Sequence, residues 1–309
     1  MAHRTETSTR SSPDASAAPD GVGPEAAGSD TAVASGGAVA AVAAAGGGGG
    51  DAKLWPLIVD EHERRLLRWE IVAVFSVSLG ASAVSAFVSL IGSLTAHASL
   101  HAQQTVLNGT PAPGRPLLSL FLELVSLASG AAPVLLVCYL LARSGEGVRA
   151  IGFDLTQPVR DVTRGAVLAA VIGFSGLGLY LLAFKAGISV NVVAENLPDV
   201  WWRIPALLLS ALQNGALEEV LVLGYLVSRL RRLGVRPQYA ILISATLRGS
   251  YHLYQGFGGF IGNAILGVIF ATLFLRWKRM SPMLVAHTLI DAVAFVGYAL
   301  LVGHVSWLP

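Results

Sequence analysis

Runs of apolar residues dominate the chain from residue 71 to residue 303. A hydrocarbon core about 30 Å thick requires roughly 20 apolar residues in each transmembrane helix. Seven runs approach that length, near residues 71–94, 119–142, 165–184, 204–228, 237–255, 259–276 and 282–303. The pattern predicts an all-α, polytopic membrane helix bundle of about seven spans. The run at 237–255 is the least regular, because it contains Arg248 and His252.

Basic residues alternate between the predicted loops. From the N-terminus onward, the termini and loops hold 6, 1, 4, 2, 4, 0, 3 and 0 Lys or Arg residues. Lys and Arg are enriched on the cytoplasmic side of membrane proteins, so the N-terminus is predicted to be cytoplasmic. Charged residues make up only 13% of the chain and the formal net charge is +2, which excludes an ordinary soluble domain and predicts no nucleic-acid partner. The single cysteine, Cys138, excludes an intrachain disulfide framework.

The N-terminal segment has a different composition. Residues 1–50 are rich in Ala and Gly and contain no Phe, Tyr or Trp, so we predict a disordered tail that cannot bury enough apolar surface to fold. Residues 51–70 mix Trp and Leu with Arg, which is typical of a juxtamembrane helix lying on the membrane surface. A solvated helix ahead of the first span is the alternative. The transmembrane domain is predicted to occupy residues 71–303.

Ionisable residues interrupt three of the predicted spans. They are Glu218 and Glu219 in the fourth, Arg248 and His252 in the fifth, and His287 and Asp291 in the seventh. Each charge near a bilayer centre costs roughly 2.5–3.5 kcal/mol, so these groups must face one another or a wet cavity. Residues four apart share one helix face, which applies to the fifth-span pair and to the seventh-span pair. The three helices are therefore predicted to enclose a common polar interior.

This set of side chains suits the activation of water. A buried Glu can act as general base, one His can share the water, and a second His beside a carboxylate can stabilise the oxyanion of a tetrahedral intermediate. Those roles describe hydrolysis of a peptide bond within a membrane. Glu218, His252 and His287 could alternatively hold Zn²⁺ with one open position, so zinc is the one cofactor considered. Neither H-E-x-x-H nor G-x-S-x-G occurs in the chain.

The order and spacing of these motifs resemble a known family. The CPBP intramembrane proteases, also called the CAAX-protease and bacteriocin-processing or Abi family, have E-E-x-x-x-R, then F-x-x-x-H, then H-x-x-x-N or H-x-x-x-D on separate spans. The corresponding residues here are Glu218-Glu219 followed by Gly224 and Leu226, then His252, then His287-x-x-x-Asp291. The resemblance covers roughly residues 150–303.

The resemblance implies a role for each matched residue. Glu218 would be the water-activating base, and Glu219 would be its neighbour that the family arginine holds. His252 would share the catalytic water. His287 and Asp291 would form the pair that stabilises the oxyanion. The resemblance leaves open whether the enzyme is a metalloendopeptidase or a glutamate-type endopeptidase.

Two positions depart from the family pattern. Leu223 stands where the family has arginine, and Arg248 stands where it has phenylalanine. We hypothesise that Arg248 supplies the missing charge from the next helix and pairs with Glu219, since an uncompensated buried carboxylate is costly. The alternative is a decayed motif in a protein that cleaves nothing.

The sequence thus predicts an intramembrane endopeptidase of the CPBP type. Its substrate would be a hydrophobic or lipidated peptide, or a membrane protein, that enters from the lipid bilayer. The use of 18 Arg against 3 Lys, with abundant Ala and Gly, favours a GC-rich genome and a bacterial plasma membrane. A catalytically inactive scaffold or immunity protein is the main alternative. A small transporter is a further one, although the two halves of the chain show no repeat.

Overall fold

The computed structural model describes residues 54–304. Its helices are α1 Glu61–Ser76, α2 Leu79–Thr95, α3 Pro116–Arg143, α4 Pro158–Lys185, α5 Arg203–Glu218, α6 Leu226–Arg232, α7 Pro237–Ser250, α8 Phe257–Trp277 and α9 Ser281–Leu301. A π-helical segment, Glu219–Tyr225, joins α5 to α6. Two strands, β1 Gln104–Asn108 and β2 Asn191–Glu195, and the 3₁₀ turns Leu100–Ala102, Val148–Ile151 and Leu253–Gln255 complete the set. The helical fold class is confirmed, and the predicted tail at 1–50 lies outside the described residues.

Among the described residues, five helices are long and apolar enough to cross a membrane. They are α3, α4, α8, α9 and the continuous stretch Arg203–Arg232, which runs through α5, the π segment and α6. Helices α1 and α2 meet at a bend of 50° and would together make a sixth span. The protein is therefore integral to the membrane, with five or six spans by this measure where the sequence predicts seven.

The predicted span at 237–255 accounts for part of that difference. Helix α7 has 14 residues and is about 21 Å long at 1.5 Å per residue, which is shorter than a hydrocarbon core. Beyond Ser250 the backbone hydrogen bonds change from the α-helical to the 3₁₀ spacing, because the His252 amide donates to the Gly249 carbonyl, three residues earlier, at 3.0 Å. The chain then reaches Gly256, whose φ of 89° is left-handed and favours glycine. The segment runs beside α8 as a short helix, a turn and a 3₁₀ turn.

The start of the chain also differs in detail from the sequence pattern. Helix α1 begins at Glu61, with Asp60 as its N-cap accepting from the Glu63 amide, and it continues to Ser76. Trp55 lies outside that helix and is 2% exposed. Its indole Nε1 donates to the Ala150 carbonyl at 2.8 Å, which ties the beginning of the described chain to the loop after α3.

The stretch Arg203–Arg232 forms the centre of the bundle. Of its most apolar window, 61% is buried, against 6–28% for the other four spans. Leu221, Val222 and Leu223 of the π segment are at most 1% exposed. Because this stretch is enclosed by other helices, its polar side chains point at protein rather than at lipid.

Two loops are joined by a short parallel sheet that the apolar pattern does not predict. Strand β1 follows α2 and strand β2 follows α4, with Gln104 opposite Asn191 and Asn108 opposite Glu195. The pairing holds these loops at the same end of the bundle. Glu195 is 2% exposed and binds Arg203, the first residue of α5, at 2.5 Å, so the sheet also fixes the start of the central stretch.

An ion-pair cluster fixes the opposite end, where α9 begins. Arg279 donates to Asp161 of α4 at 2.6 Å and to Asp154 at 2.8 Å. Hydrogen bonds from the backbone N–H and hydroxyl of Thr156, together with Arg279, hold the pKa of Asp154 below its usual value. Arg279 thereby ties the α8–α9 connection to the loop before α4 and sets the position of α9.

Gly267 allows α7 and α8 to pack closely, and its substitution should separate them. A Cβ at this position would lie 2.7 Å from Ala245 Cα, whereas a Cβ at Gly262, on the same helix, would meet only Leu179 Cδ2 at 3.7 Å. We expect Gly267→Ala to lower the free energy of unfolding by about 1–3 kcal/mol through overpacking. Gly262→Ala should raise it by up to about 1 kcal/mol, because alanine favours helix. Thermal unfolding in detergent measures both, and equal effects would contradict the close approach.

Candidate active site

The six ionisable residues that the sequence places in spans meet in one buried cluster. The central stretch supplies Glu218 and Glu219, α7 and the turn after it supply Arg248 and His252, and α9 supplies His287 and Asp291. Glu219 is 0% exposed and Arg248 is 1% exposed. Each carboxylate has its own contacts, and these determine what the cluster can do.

Glu219 is held by two donors from two different helices. Arg248 Nη2 donates to its Oε1 at 2.5 Å, and His287 Nδ1 lies 2.7 Å from the same oxygen. Since an ionised carboxylate only accepts hydrogen bonds, His287 Nδ1 is the donor. The pairing of Arg248 with Glu219, hypothesised from the sequence, is present in the structure. It neutralises a fully buried carboxylate and links α7 to α9 through the central stretch.

Glu218 presents its two oxygens to different partners. The Tyr251 hydroxyl donates to Oε2 at 2.7 Å, and Arg248 Nη1 lies 3.7 Å from that oxygen. The other oxygen, Oε1, faces His252 Nε2 across 3.9 Å. This distance is too long for a direct hydrogen bond and suits a contact bridged by one water molecule.

The backbone sets the tautomer of His252. Its Nδ1 lies 3.0 Å from the Arg248 carbonyl oxygen. A carbonyl only accepts, so Nδ1 carries the proton and the Nε2 of a neutral ring bears a lone pair. The carbonyl is free for this bond because α7 ends at Ser250, and the last carbonyls of a helix lack intrahelical partners. Glu218 Oε1 and His252 Nε2 are therefore two acceptors that face each other.

His287 lies between two carboxylates. Its Nδ1 is occupied by Glu219, and its Nε2 lies 3.7 Å from Asp291 Oδ2. Asn214 of α5 donates to Asp291 Oδ2 at 3.4 Å. Asp291 thus meets the cluster only through long contacts, and among the described residues Nε2 of His287 has no hydrogen-bond partner.

The π-helical turn is the local feature that places Glu219. Glu218 closes α5 and Glu219 opens the π segment, where the wider turn displaces the backbone from regular α-helical hydrogen bonding. The hydroxyl of Ser244 from α7 donates to the Val222 carbonyl within this segment at 3.0 Å. Short π segments of this kind occur frequently at functional sites.

Tyr251 is the site residue that sequence reasoning missed. A tyrosine near the end of an apolar run is typical of an interfacial anchor, yet Tyr251 is 5% exposed and binds Glu218. Its place three residues after Arg248, and next to His252, was the available signal. Asn214, which contacts the cluster through Asp291, is easier to find from the sequence, because it lies four residues before Glu218 and so on the same face of α5.

The residues that the sequence considers for zinc are not assembled as a metal site among the described residues. Within residues 54–304, no three or more His, Cys, Asp or Glu side chains are grouped so that they could hold one. Of the set Glu218, His252 and His287, each histidine has its Nδ1 committed to a hydrogen bond. These hydrogen bonds leave Nε2 of each ring available, as in histidines that bind metals, so the contacts suit acid–base chemistry and do not decide between it and metal coordination.

Comparison with known proteins identifies the part of the chain that holds this cluster. A family model described as type II CAAX prenyl endopeptidase Rce1-like matches residues 200–293. The matched segment, residues 200–293, is similar to an Rce1-like domain. All six clustered residues lie within it, and it spans just under a third of the chain. Comparison with curated proteins finds no match, and neither does comparison with solved structures.

The Rce1-like match agrees with the resemblance seen in the motifs and supports an intramembrane protease of the CAAX type at the level of the family. Together with the apolar helices, it supports a lipid bilayer as the surroundings of the protein and a membrane-associated molecule as its substrate.

Moving the buried arginine back to its family position should preserve the fold. Arg248→Phe leaves Glu219 uncompensated, and we expect it to lower the free energy of unfolding by about 3–5 kcal/mol. Adding Leu223→Arg places a guanidinium one turn after Glu219 and should recover much of that loss. Denaturant unfolding in detergent measures both.

Arg236→Met, at an exposed arginine before α7, is the matched control and should change the unfolding free energy by less than about 0.5 kcal/mol. Full stability of Arg248→Phe alone would show that the ion pair is dispensable.

Proposed function

We propose that the protein is an intramembrane endopeptidase in which Glu218 and His252 activate a water molecule. The observation that carries the proposal is the pair of facing acceptors, Glu218 Oε1 and His252 Nε2, 3.9 Å apart inside the Rce1-like domain. One water molecule between them could donate one hydrogen to each. Its remaining lone pairs would then be directed away from both groups and towards a substrate.

Each step of the reaction can be assigned to a residue. Glu218 takes a proton from the water while the oxygen attacks the carbonyl carbon of the scissile peptide bond. The resulting oxyanion accepts a hydrogen bond from Nε2 of His287 when that ring is protonated on both nitrogens. Glu218 then gives its proton to the departing amine, so the peptide bond breaks and the carboxylate is regenerated.

The remaining residues position these groups. Tyr251 occupies Oε2 of Glu218 and leaves Oε1 for the water. Arg248 serves twice, because its guanidinium holds Glu219 and its carbonyl fixes the tautomer of His252. Glu219 in turn orients His287 through Nδ1, as a carboxylate commonly orients a catalytic imidazole. Asp291 acts on His287 from the other side, at longer range.

The substrate proposed for this site is a hydrophobic or lipidated peptide, or a membrane protein, reached from the bilayer. The family match supports a CAAX-type substrate, and the arginine-rich composition supports a bacterial plasma membrane as the location. Leu223 replaces the family arginine, and this would argue against catalysis if the site had no other cation. Arg248 provides one within hydrogen-bonding distance of Glu219, which favours the enzyme over an inactive scaffold.

Loss of either water-activating group should abolish cleavage without unfolding the protein. We expect Glu218→Gln and His252→Ala to lower kcat by about 10²- to 10⁴-fold. The assay uses purified protein in liposomes with farnesylated and unlipidated hydrophobic peptides, each with and without a chelator. Glu61→Gln and His101→Ala, at exposed positions, are the matched controls and should retain full activity.

Cleavage that survives the chelator would support the water-activating pair acting without a metal, and cleavage lost with the chelator would assign a metal to the reaction. A folded wild-type protein that cleaves none of the peptides would favour the scaffold.

Tyr251→Phe should separate orientation from substrate binding. The variant keeps the ring and removes the hydroxyl that occupies Glu218 Oε2, so kcat should fall by about tenfold while KM changes little. Tyr239→Phe, at an exposed tyrosine, is the control. An unchanged kcat for Tyr251→Phe would mean that Glu218 needs no orienting donor.

A further inference from the structure

A groove of about 280 Å³ lies between α2 and the turn that follows α7. Ser82, Ser85, Ala86 and Ser89 line it on the α2 side, and Tyr251 and Tyr254 line it on the other. The α2 wall lies outside the matched residues 200–293, so the family match assigns nothing to it. The groove has nearly the size at which ligand pockets begin, roughly 300 Å³.

Two serine hydroxyls in this wall, those of Ser85 and Ser89, are not bonded to the helix backbone, unlike other hydroxyls on α1 and α2. Ser76, Ser78 and Thr95 each donate to the backbone carbonyl four residues earlier, at 2.6–2.9 Å. Ser82 of the wall does the same at 3.5 Å, but among the described side-chain hydrogen bonds none involves the hydroxyl of Ser85 or Ser89. A hydroxyl can both donate and accept. These two groups therefore offer the groove hydrogen-bonding capacity that the helix does not consume.

The groove is linked to the proposed catalytic carboxylate through one shared side chain, that of Tyr251. Tyr251 lines the groove with its ring and donates its hydroxyl to Glu218 Oε2 at 2.7 Å. A molecule lying along α2 would therefore be one tyrosine side chain away from Glu218. No other described residue joins both the groove lining and the hydrogen bonds of Glu218.

The length of the wall matches a short extended peptide. Ser82 and Ser89 are seven positions apart, which is about 10 Å along a helix. An extended strand rises about 3.4 Å per residue, so this wall spans about three residues. An extended peptide in lipid has backbone N–H and C=O groups that must find partners in the protein, because the bilayer core offers none.

We propose that this groove binds the extended segment of the substrate that lies next to the scissile bond, with Ser85 and Ser89 hydrogen-bonded to its backbone. The proposal rests on the protease function proposed above. It assigns the binding of this flanking segment to α2, while the scissile bond itself lies beyond Tyr251, at Glu218 and His252.

Binding can be read without cleavage by photo-crosslinking. A small aliphatic diazirine amino acid, close to leucine in size, replaces Ser85 in the Glu218→Gln background, and a second protein carries it at Val84, which is 66% exposed and does not line the groove. A farnesylated peptide and its unlipidated counterpart in phosphatidylcholine vesicles are the probes. We expect a crosslink at position 85 and at least tenfold less at position 84. Equal labelling at both positions would overturn the proposal.

Kinetics provide the second readout. Ser85→Trp should fill the groove and lower kcat/KM by more than tenfold, mainly through KM, whereas Val84→Trp should change it less than twofold. Ser85→Ala with Ser89→Ala should lower kcat/KM by about tenfold, as expected for two lost hydrogen bonds. If Ser85→Trp cleaves with full activity, the groove proposal is refuted and the proposed protease function is retained. Crosslinking at position 85 by a protein that cleaves nothing would support the groove and refute the protease.

Discussion

The ion pair between Arg248 and Glu219 is the interaction on which the rest of the site depends. Both side chains are at most 1% exposed, and they lie among apolar helices that suit a lipid bilayer. A carboxylate in such surroundings requires a cation and further hydrogen bonds, because the desolvation of an unpaired charge is costly. Arg248 and His287 provide both at a single oxygen. Three separate helical segments are thereby brought to one point, and Glu218 is placed beside it.

Two irregularities in the helices make this arrangement possible. The π turn at Glu219–Tyr225 lies where a regular α-helix would otherwise continue, and α7 ends at Ser250 where a spanning helix would continue. Each irregularity frees backbone groups. Val222 accepts from Ser244, and the Arg248 carbonyl accepts from His252. The bond to Val222 joins the two segments, and the bond to Arg248 fixes His252 at the end of α7, so together they position Glu219 and His252 relative to each other.

The sequence predicts the helical membrane fold and the set of ionisable side chains well, because both follow from local rules. Apolar length defines the spans, and the cost of a charge in lipid requires Glu218, Glu219, Arg248, His252, His287 and Asp291 to face inward. The sequence does not predict where α7 stops, since 237–255 is apolar enough to continue and the stop depends on contacts with other segments. The β1–β2 pairing joins loops that are distant along the chain, and Tyr251 lies at a position that equally suits an interfacial anchor. Tertiary contacts decide all three.

The location of the arginine has a consequence that the family pattern would not have. In that pattern the cation follows the glutamates on their own helix, so it can compensate their charge without involving the helix of the first histidine. Here the same residue that compensates Glu219 also provides the carbonyl that sets the proton on His252. Compensation of charge and orientation of the water-binding nitrogen are therefore coupled through the end of α7. A change that shifts Arg248 by a fraction of an ångström would disturb Glu219, and through it His287, together with His252. Leu223 is then free to be an apolar residue, and it packs at 1% exposure in the central stretch.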